Sequence, residues 1–138
     1  MYVNDLAHRD LKPENILINN NKFLIADYGF STFTHGQPML TKLGTPLYMS
    51  PQVHLGQPYT MKNDVWAIGM IYYEMLCGRT PWPINCERDL YELPRTVPVR
   101  FPPDVSISRT SQNFIRGCLE FHEKDRLGWN EIFSSQIY

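Results

Sequence analysis

A carboxylate, an ammonium group and a carboxamide lie close together near the start of the sequence, on Asp10, Lys12 and Asn15. Transfer of a phosphoryl group needs a base for the proton of the attacking hydroxyl and a cation beside the transferred group. It also needs a hard oxygen ligand for Mg²⁺, which a carboxamide can supply. These three side chains therefore predict phosphoryl transfer as the chemistry of this segment.

Residues His8–Asn15 have the sequence H-R-D-L-K-P-E-N and resemble the catalytic loop of eukaryotic protein kinases, H-R-D-L-x-x-x-N. Three later segments resemble further kinase motifs in the family's order. Residues 27–29 (D-Y-G) are similar to the D-F-G motif, and residues 44–52 (G-T-P-L-Y-M-S-P-Q) to the end of the activation segment. Residues 64–69 (D-V-W-A-I-G) are similar to the start of the family's central helix. The sequence is therefore identified as a member of the protein kinase family.

Details of these motifs indicate a subfamily. Residues 11–14 (L-K-P-E) and 44–45 (G-T) resemble serine/threonine kinases rather than tyrosine kinases. Residues 44–52 and 62–82 are most similar to the Unc-51-like kinases that initiate autophagy. The resemblance implies ATP and Mg²⁺ as co-substrate and cofactor, and a protein hydroxyl as the acceptor.

The resemblance also implies roles for individual residues. Asp10 would be the catalytic base, Lys12 would lie beside the γ-phosphate, and Thr45 would bond to both of them. Asn15 and Asp27 would hold Mg²⁺. These five residues form the predicted catalytic and metal-binding site.

Arg9 is also counted among the predicted catalytic residues, Leu17 among those that bind the nucleotide, and Thr41 is predicted to be regulatory. Leu17 resembles the apolar floor beneath adenine, although a leucine in a hairpin is equally well explained as a core residue. Arg9, beside the catalytic base, would neutralise a phosphate on the activation segment and so order it. Thr41 is at the position that such a phosphate takes, which implies an upstream kinase as a partner.

Four residues are predicted to support the site. His8 opens the catalytic loop, and Asp64 would accept hydrogen bonds from backbone amides of that loop. Gln52 stands where the family has a glutamate that pairs with an arginine, here Arg126. A neutral glutamine makes this bond weaker than the ion pair.

The elements that must position these residues follow from periodicity and turn residues. Two β-prone runs on either side of residues 19–21 (N-N-N) predict a hairpin over residues 15–27, and residues 29–59 are expected to be irregular. An apolar stretch predicts a buried central helix over about 64–77, capped by Asn63 or Asp64. Three more helices are predicted, over residues 87–93, from Ser108 or Ser111 to Glu120, and over 129–137. The expected fold class is α+β: a protein-kinase-like, mainly helical C-terminal lobe with a short β-hairpin.

Composition narrows the class of protein. The net charge of −1 gives no reason to expect a nucleic acid or an anionic membrane as a partner. The apolar stretch 65–77 is too short to span a bilayer. The three cysteines, Cys77, Cys86 and Cys118, are odd in number and widely spaced, which predicts reduced thiols in a cytoplasmic or nuclear protein.

The sequence is expected to form one domain over residues 1–138, with the catalytic loop at 8–15 and the activation segment at 27–52. The family's N-terminal lobe, with its glycine-rich loop and strand lysine, is expected to be absent. The first hypothesis is therefore a serine/threonine kinase fragment that is inactive without that lobe. The alternative is a non-catalytic interaction module or pseudokinase-like regulator. Retention of Asp10, Lys12, Asn15 and Asp27 favours the first, and Gln52 favours the second.

Overall fold

The computed structural model of the chain describes residues 5–137. Four short strands and five helices follow one another along the chain. The strands are β1 (Leu6–Ala7), β2 (Ile16–Asn19), β3 (Lys22–Ile25) and β4 (Thr32–Phe33). The helices are α1 (Pro51–His54), α2 (Lys62–Cys77), α3 (Asp89–Thr96), α4 (Arg109–Cys118) and α5 (Trp129–Ser134). Single 3₁₀ turns lie at Pro13–Asn15 and Pro46–Tyr48.

The predicted hairpin is confirmed as the antiparallel pair β2–β3, in which Leu17 lies opposite Leu24. Its two-residue turn is formed by Asn20 and Asn21, with φ values of 47° and 60°. Tight hairpin turns need two residues with positive φ, and asparagine tolerates this conformation better than most residues. The hairpin begins directly after the catalytic loop, so it places Asn15 and Asp27 at the same end of the two strands.

The segment 29–59 contains more regular structure than its sequence predicts. Strand β4 pairs with β1, and Met39 forms an isolated antiparallel bridge with Tyr59. Helix α1 starts at Pro51, a residue that suits the first turn of a helix. These elements are short, and the strand pairs join residues distant in the sequence. They therefore produce no periodic pattern from which they could be predicted.

Helix α2 begins two residues earlier than predicted, at Lys62, and the prediction that Asn63 or Asp64 caps it is wrong. Both residues lie inside the first turn, and both are buried. Their side-chain oxygens bond to other segments instead of to the free amides of their own helix. The helix ends at Cys77, as predicted, where Gly78 has a left-handed φ of 65° and its amide bonds to the Glu74 carbonyl.

The main core forms around α2. The rings of Trp66 and Trp82 stack with centroids 5.9 Å apart, and Ile115 of α4 is fully buried against the same cluster. Helices α2 and α4 approach closely at Gly69, where an added Cβ would lie 2.6 Å from the Cys118 Cβ. This packing fixes the position of the first turn of α2, which supports the candidate site.

The remaining helices are confirmed with shifted ends. Helix α3 covers residues 89–96 rather than 87–93, and α5 ends at residue 134 rather than 137. Helix α4 ends at Cys118, two residues before Glu120, and Ser108 caps it by accepting a 3.1 Å bond from the Ser111 amide. The predicted α+β class with a mainly helical body and a short hairpin is confirmed.

Two further observations concern the cysteines and the apolar character of the helices. All three cysteines are free thiols, and burial raises the pKa of Cys118 to about 12. Over residues 5–137, no helix has the length and apolar character needed to cross a membrane.

Candidate active site

Asp10 lies at the centre of a hydrogen-bond cluster. Its Oδ1 accepts bonds from both the backbone amide and the hydroxyl of Thr45, each 2.7 Å long. Its Oδ2 lies 3.2 Å from Lys12 Nζ and 3.3 Å from Asn15 Nδ2. Lys12 Nζ also donates to the Thr45 hydroxyl oxygen at 3.0 Å. The structure thus brings together four residues that the sequence predicts to act as one site.

These contacts determine the charge state of Asp10. Only 6% of the residue is exposed, and burial alone would raise the pKa of its carboxyl group. The hydrogen bonds from Thr45 and Lys12, together with the charge of Lys12, outweigh this effect and hold the pKa below its ordinary value. Asp10 is therefore a carboxylate at neutral pH, the form in which it can receive a proton.

Asn15 and Asp27 offer oxygen atoms of the kind that Mg²⁺ prefers. The Asn15 amide nitrogen donates to the Asp10 carbonyl at 2.9 Å as well as to its carboxylate. These bonds use the amide nitrogen and leave the Oδ1 oxygen as the available ligand atom. The Asp27 carboxylate is exposed and accepts a 3.2 Å bond from the Gly29 amide. The two donors fit a magnesium ion that keeps waters or phosphate oxygens as its other ligands.

Within residues 5–137, no group of three or more metal-ligating side chains competes with this pair. Across the part of the chain that the structure describes, no three His, Cys, Asp or Glu side chains are grouped so that they could hold a metal ion. His35, His54 and His122, which show no metal-ligand spacing in the sequence, do not form such a group. A two-ligand site is the arrangement expected for Mg²⁺ rather than for zinc.

The position of Asp27 is set by the residue before it. The Ala26 amide donates to the Asn15 carbonyl at 2.8 Å, and the Ala26 carbonyl lies 3.1 Å from His8 Nε2. Asp27 itself has a left-handed φ of 61°, which few non-glycine residues adopt without support. The Tyr28 ring packs edge-on against the His8 ring, with centroids 5.1 Å apart. His8 therefore links the catalytic loop to residues 27–29.

Asp64 holds the catalytic loop from below. Its two carboxylate oxygens accept bonds from the backbone amides of His8, at 2.7 Å, and Arg9, at 2.9 Å. Burial raises the pKa of this carboxyl group, and the two amide bonds oppose the rise. Arg9 has a left-handed φ of 70°, so the loop needs such an anchor to keep its shape.

Gly44 allows the activation segment to approach the catalytic loop. Its φ is 117°, and a Cβ built on it would lie 2.3 Å from the Arg9 carbonyl oxygen. A side chain at this position would push the backbone away, so only glycine fits. The close approach places the next residue, Thr45, on Asp10.

Gln52 and Arg126 are in contact, as the sequence predicts. Arg126 Nη2 donates to Gln52 Oε1 at 2.9 Å, and the same guanidinium group bonds to the carbonyl groups of Lys62, Glu120 and Phe121. Arg126 is 2% exposed, and burial lowers its pKa to about 10. A buried cation is thus held by neutral acceptors where a carboxylate is usual.

Tyr59 interacts with both Thr41 and Arg9. The Tyr59 hydroxyl donates to the Thr41 carbonyl at 2.7 Å. Burial raises the pKa of Tyr59, and a hydrogen bond from Arg9 to the hydroxyl counteracts it. The Thr41 side chain is exposed. Arg9 Nε donates to the Phe30 carbonyl at 2.5 Å. This bond holds the guanidinium group beside the activation segment.

Leu17 lies apart from the catalytic cluster. It is 52% exposed on β2, so its interpretation as a core residue is wrong for this chain. Its partner across the hairpin, Leu24, is 45% exposed.

Two supporting contacts were not predicted from the sequence. Asn63 Oδ1 accepts a 3.0 Å bond from the Ser50 amide, which ties the end of the activation segment to the first turn of α2. Tyr48 donates to a Glu74 carboxylate oxygen at 2.8 Å. The Tyr48–Glu74 pair has no signal in the local sequence. The Asn63–Ser50 pair has one, because Asn63 is a polar residue at the start of a buried helix.

The amino-acid sequence of the chain is similar to sequences of known proteins. Residues 1–137 match the model of the protein kinase domain. Serine/threonine-protein kinase 33 of Mus musculus is 34% identical over 96% of this chain. ULK1 of Homo sapiens is 34% identical over 93% of the chain, and ATG1 of Kluyveromyces lactis is 30% identical over 96%. The chain spans 30%, 13% and 19% of these three proteins, respectively.

These relatives bear out the predicted resemblance to serine/threonine kinases, with Unc-51-like proteins among them. Serine/threonine-protein kinase 33 and ULK1 are both 34% identical to the chain. Sequence identity therefore does not single out one subfamily. The match covers the catalytic loop, the activation segment and the helices behind them. The chain belongs to the protein kinase family.

Proposed function

We propose that this chain is the C-terminal lobe of a serine/threonine protein kinase, in which Asp10 is the base for phosphoryl transfer from ATP to a protein hydroxyl. One observation supports this above all others: the Asp10 carboxylate is ionised and held by Thr45, Lys12 and Asn15. The supporting aspartate Asp64, by contrast, bonds only to the backbone amides of His8 and Arg9, whereas Asp10 also has a lysine ammonium group beside it.

The two oxygens of Asp10 have different tasks in this proposal. Oδ1 is occupied by two 2.7 Å bonds from Thr45, which fix the orientation of the carboxylate. Oδ2 has only the longer contacts with Lys12 and Asn15. Oδ2 is therefore the oxygen that accepts a bond from the substrate hydroxyl and takes its proton, while Lys12 neutralises charge on the transferred phosphoryl group.

Asn15 and Asp27 would hold Mg²⁺ through Asn15 Oδ1 and the Asp27 carboxylate. The ion, when bound, neutralises negative charge on the phosphate groups of ATP. The chain's own contribution is to keep the two ligands in place. It does so through the hydrogen bonds of Ala26, which join the end of β3 to the catalytic loop.

The nucleotide has only part of a binding site in these 138 residues. Leu17 would form the apolar floor under adenine, and its exposure leaves it available for this. The sequence contains no G-x-G-x-x-G motif to cover the phosphates. Because positioning and charge provide almost all of the catalysis in this reaction, the chain by itself should not transfer phosphate at a measurable rate.

Phosphorylation of Thr41 by an upstream kinase would regulate the site. Thr41 is exposed, and its backbone is tied to Tyr59, beside which the Arg9 guanidinium lies. A phosphate on Thr41 would gain a charge-assisted bond from Arg9. Since Arg9 adjoins Asp10, this bond would order the segment that carries Thr45.

The test compares the chain alone with the chain fused behind the N-terminal lobe of a similar kinase such as ULK1. Transfer of labelled phosphate from Mg·ATP to a mixture of generic protein substrates is measured for both. The proposal predicts no transfer by the chain alone and transfer by the fusion protein. Thermal stabilisation by Mg·ATP checks that the fusion protein has folded and binds the nucleotide.

A fusion protein that binds Mg·ATP without transferring phosphate would contradict the proposal and favour the non-catalytic interaction module. Activity of the chain alone, above that of its Asp10→Ala variant, would contradict the requirement for a second lobe. Phosphate on seryl and threonyl rather than tyrosyl groups is expected, and the reverse would contradict the predicted substrate class.

A further inference from the structure

A second pocket lies at the far end of α2, away from Asp10. It has a volume of about 410 Å³ and is lined by ten residues, none of which belongs to the catalytic loop or the activation segment. Two of them are arginines, Arg79 and Arg100, and three are aromatic, Tyr73, Trp82 and Phe101. Cations above aromatic walls are a combination that proteins use to recognise ligands.

Tyr73 contacts the backbone of one arginine of the pocket and the side chain of the other. The Tyr73 hydroxyl donates to the Arg100 carbonyl oxygen at 2.7 Å, and the Arg79 guanidinium group interacts with the same hydroxyl. A third arginine, Arg116, places its guanidinium carbon 4.8 Å from the centre of the Phe101 ring. Two arginines from separate segments therefore line the pocket, and a third, Arg116, lies against one of its aromatic walls.

Arg79 and Arg100 are exposed, and neither forms an ion pair within 4.0 Å among residues 5–137. Among residues 5–137, the ion pairs within 4.0 Å are Lys12–Asp10, Lys42–Glu87 and Arg95–Glu92. Neither arginine of the pocket takes part in them. The guanidinium groups can therefore bind a carboxylate or a phosphate of another molecule.

The walls of the pocket favour a carboxylate over a phosphate. Four of the ten lining residues are prolines, namely Pro81, Pro83, Pro102 and Pro103. Proline has no backbone N–H, so these four residues provide none of the amide donors on which phosphate sites commonly depend. A carboxylate has two acceptor oxygens in one plane and matches a guanidinium group without further donors.

The same walls are apolar between the charges. Trp82 is 3% exposed and closes the bottom of the pocket, while the exposed rings of Pro83 and Pro103 form its apolar surface. An apolar side chain beside the carboxylate would cover this surface and displace water from it. We propose that the pocket binds an acidic segment of a partner protein, in which Asp or Glu carboxylates flank an apolar side chain.

The proposal is tested by fluorescence anisotropy with the full chain and the labelled peptide Glu-Glu-Leu-Glu-Glu. The Gln-Gln-Leu-Gln-Gln peptide controls for charge, and a phosphoserine peptide of the same length separates the two anions. Saturable binding of the acidic peptide is expected, stronger than binding of either other peptide. Preference for the phosphoserine peptide, or no saturation by the acidic one, would overturn the proposal.

Variants locate the binding. Arg79→Gln and Arg100→Gln should each weaken binding about tenfold, the loss expected for one hydrogen-bonded charge. Arg109→Gln, which removes an exposed arginine at the start of α4, is the matched control and should leave binding unchanged. Asp104 directly follows the prolines of the pocket, and its negative charge acts on nearby Cys77. Asp104→Asn removes a charge that would repel the acidic peptide, so it should strengthen binding. Equal loss in Arg79→Gln and Arg109→Gln would show that attraction is non-specific and overturn the site.

Discussion

Thr45 and Asp10 are 35 positions apart in the sequence, yet two hydrogen bonds of 2.7 Å join them. The backbone amide and the hydroxyl of Thr45 both donate to one carboxylate oxygen. The contact exists because Gly44 lets the activation segment touch the carbonyl of Arg9. The position of the activation segment and the charge state of the predicted base are therefore properties of one contact.

Replacing Thr45 with valine should loosen this contact. The variant loses the hydroxyl that donates to Asp10 and accepts from Lys12, so the pKa of Asp10 should rise. The free energy of unfolding should fall by about 1 kcal/mol, the usual contribution of a hydrogen bond. Carboxyl-carbon NMR titration and urea unfolding measure the two effects. Thr45→Ser should restore both values, and Thr110→Val, at an exposed threonine, should change neither.

The lowered pKa of Asp10 predicts how its contribution to stability depends on pH. A carboxylate whose pKa is lower in the folded than in the unfolded chain stabilises the fold above its ordinary pKa, 3.8 for this group. That contribution is lost as the pH falls through the folded value. Asp10→Asn should therefore unfold more easily than the parent at pH 7, and the difference should begin to shrink below about pH 4 and disappear only below the lowered pKa of the folded chain. Urea unfolding of both proteins across this range gives the comparison, and a difference that persists at low pH would contradict the assignment.

The neutral partner of Arg126 predicts a stabilising substitution. Gln52→Glu would place a carboxylate where Arg126 now meets an amide oxygen. The variant loses the 2.7 Å bond that Gln52 donates to the Phe121 carbonyl, but Arg126 already donates to that carbonyl. The free energy of unfolding should rise by about 1 kcal/mol, the difference between a charged and a neutral hydrogen bond.

Calorimetry of Gln52→Glu beside Gln57→Glu provides the control, because Gln57 is exposed and has no such partner among the described contacts. If the two variants behave alike, the gain comes from surface charge and not from Arg126. A loss of stability in Gln52→Glu would mean that desolvating the new carboxylate outweighs its attraction to the arginine.

Some features of the fold and the site follow from short motifs, and others depend on contacts between distant segments. The grouping of Asp10 with Lys12 and Thr45 can be predicted because these residues lie in short motifs. The hairpin can be predicted because Asn20 and Asn21 suit its turn. The cap of α2 was predicted wrongly, since Asn63 and Asp64 bond across the molecule rather than to their own helix. Leu17 was open to two interpretations because its exposure depends on what packs against the hairpin, which its own neighbours do not determine.

An exposed apolar face predicts association of the isolated chain. A cavity of about 710 Å³ lies between the hairpin and helices α2 and α5 and is lined by apolar and aromatic side chains without a charge. Phe23 and Met75, on its rim, are 70% and 69% exposed. Burial of such a surface is favourable, so copies of the chain should associate at micromolar concentration.

Sedimentation velocity over a range of concentrations tests this. Phe23→Ser combined with Met75→Gln should shift the chain toward the monomer. Leu40→Ser, at a residue that is equally exposed but lies outside the cavity, should not. A monodisperse monomer in the unaltered chain would contradict the prediction.

The measurement that tests the central claim most directly is the rate of phosphoryl transfer after Asp10→Asn, in the fusion protein that carries both lobes. The variant keeps the size of the side chain but cannot accept a proton at neutral pH. The kcat should fall by about a hundredfold or more, the KM for ATP should change little, and Asp125→Asn, at an exposed aspartate, should retain the full rate. A fusion protein whose Asp10→Asn variant transfers phosphate at the parent rate would contradict the assignment of Asp10 as the base.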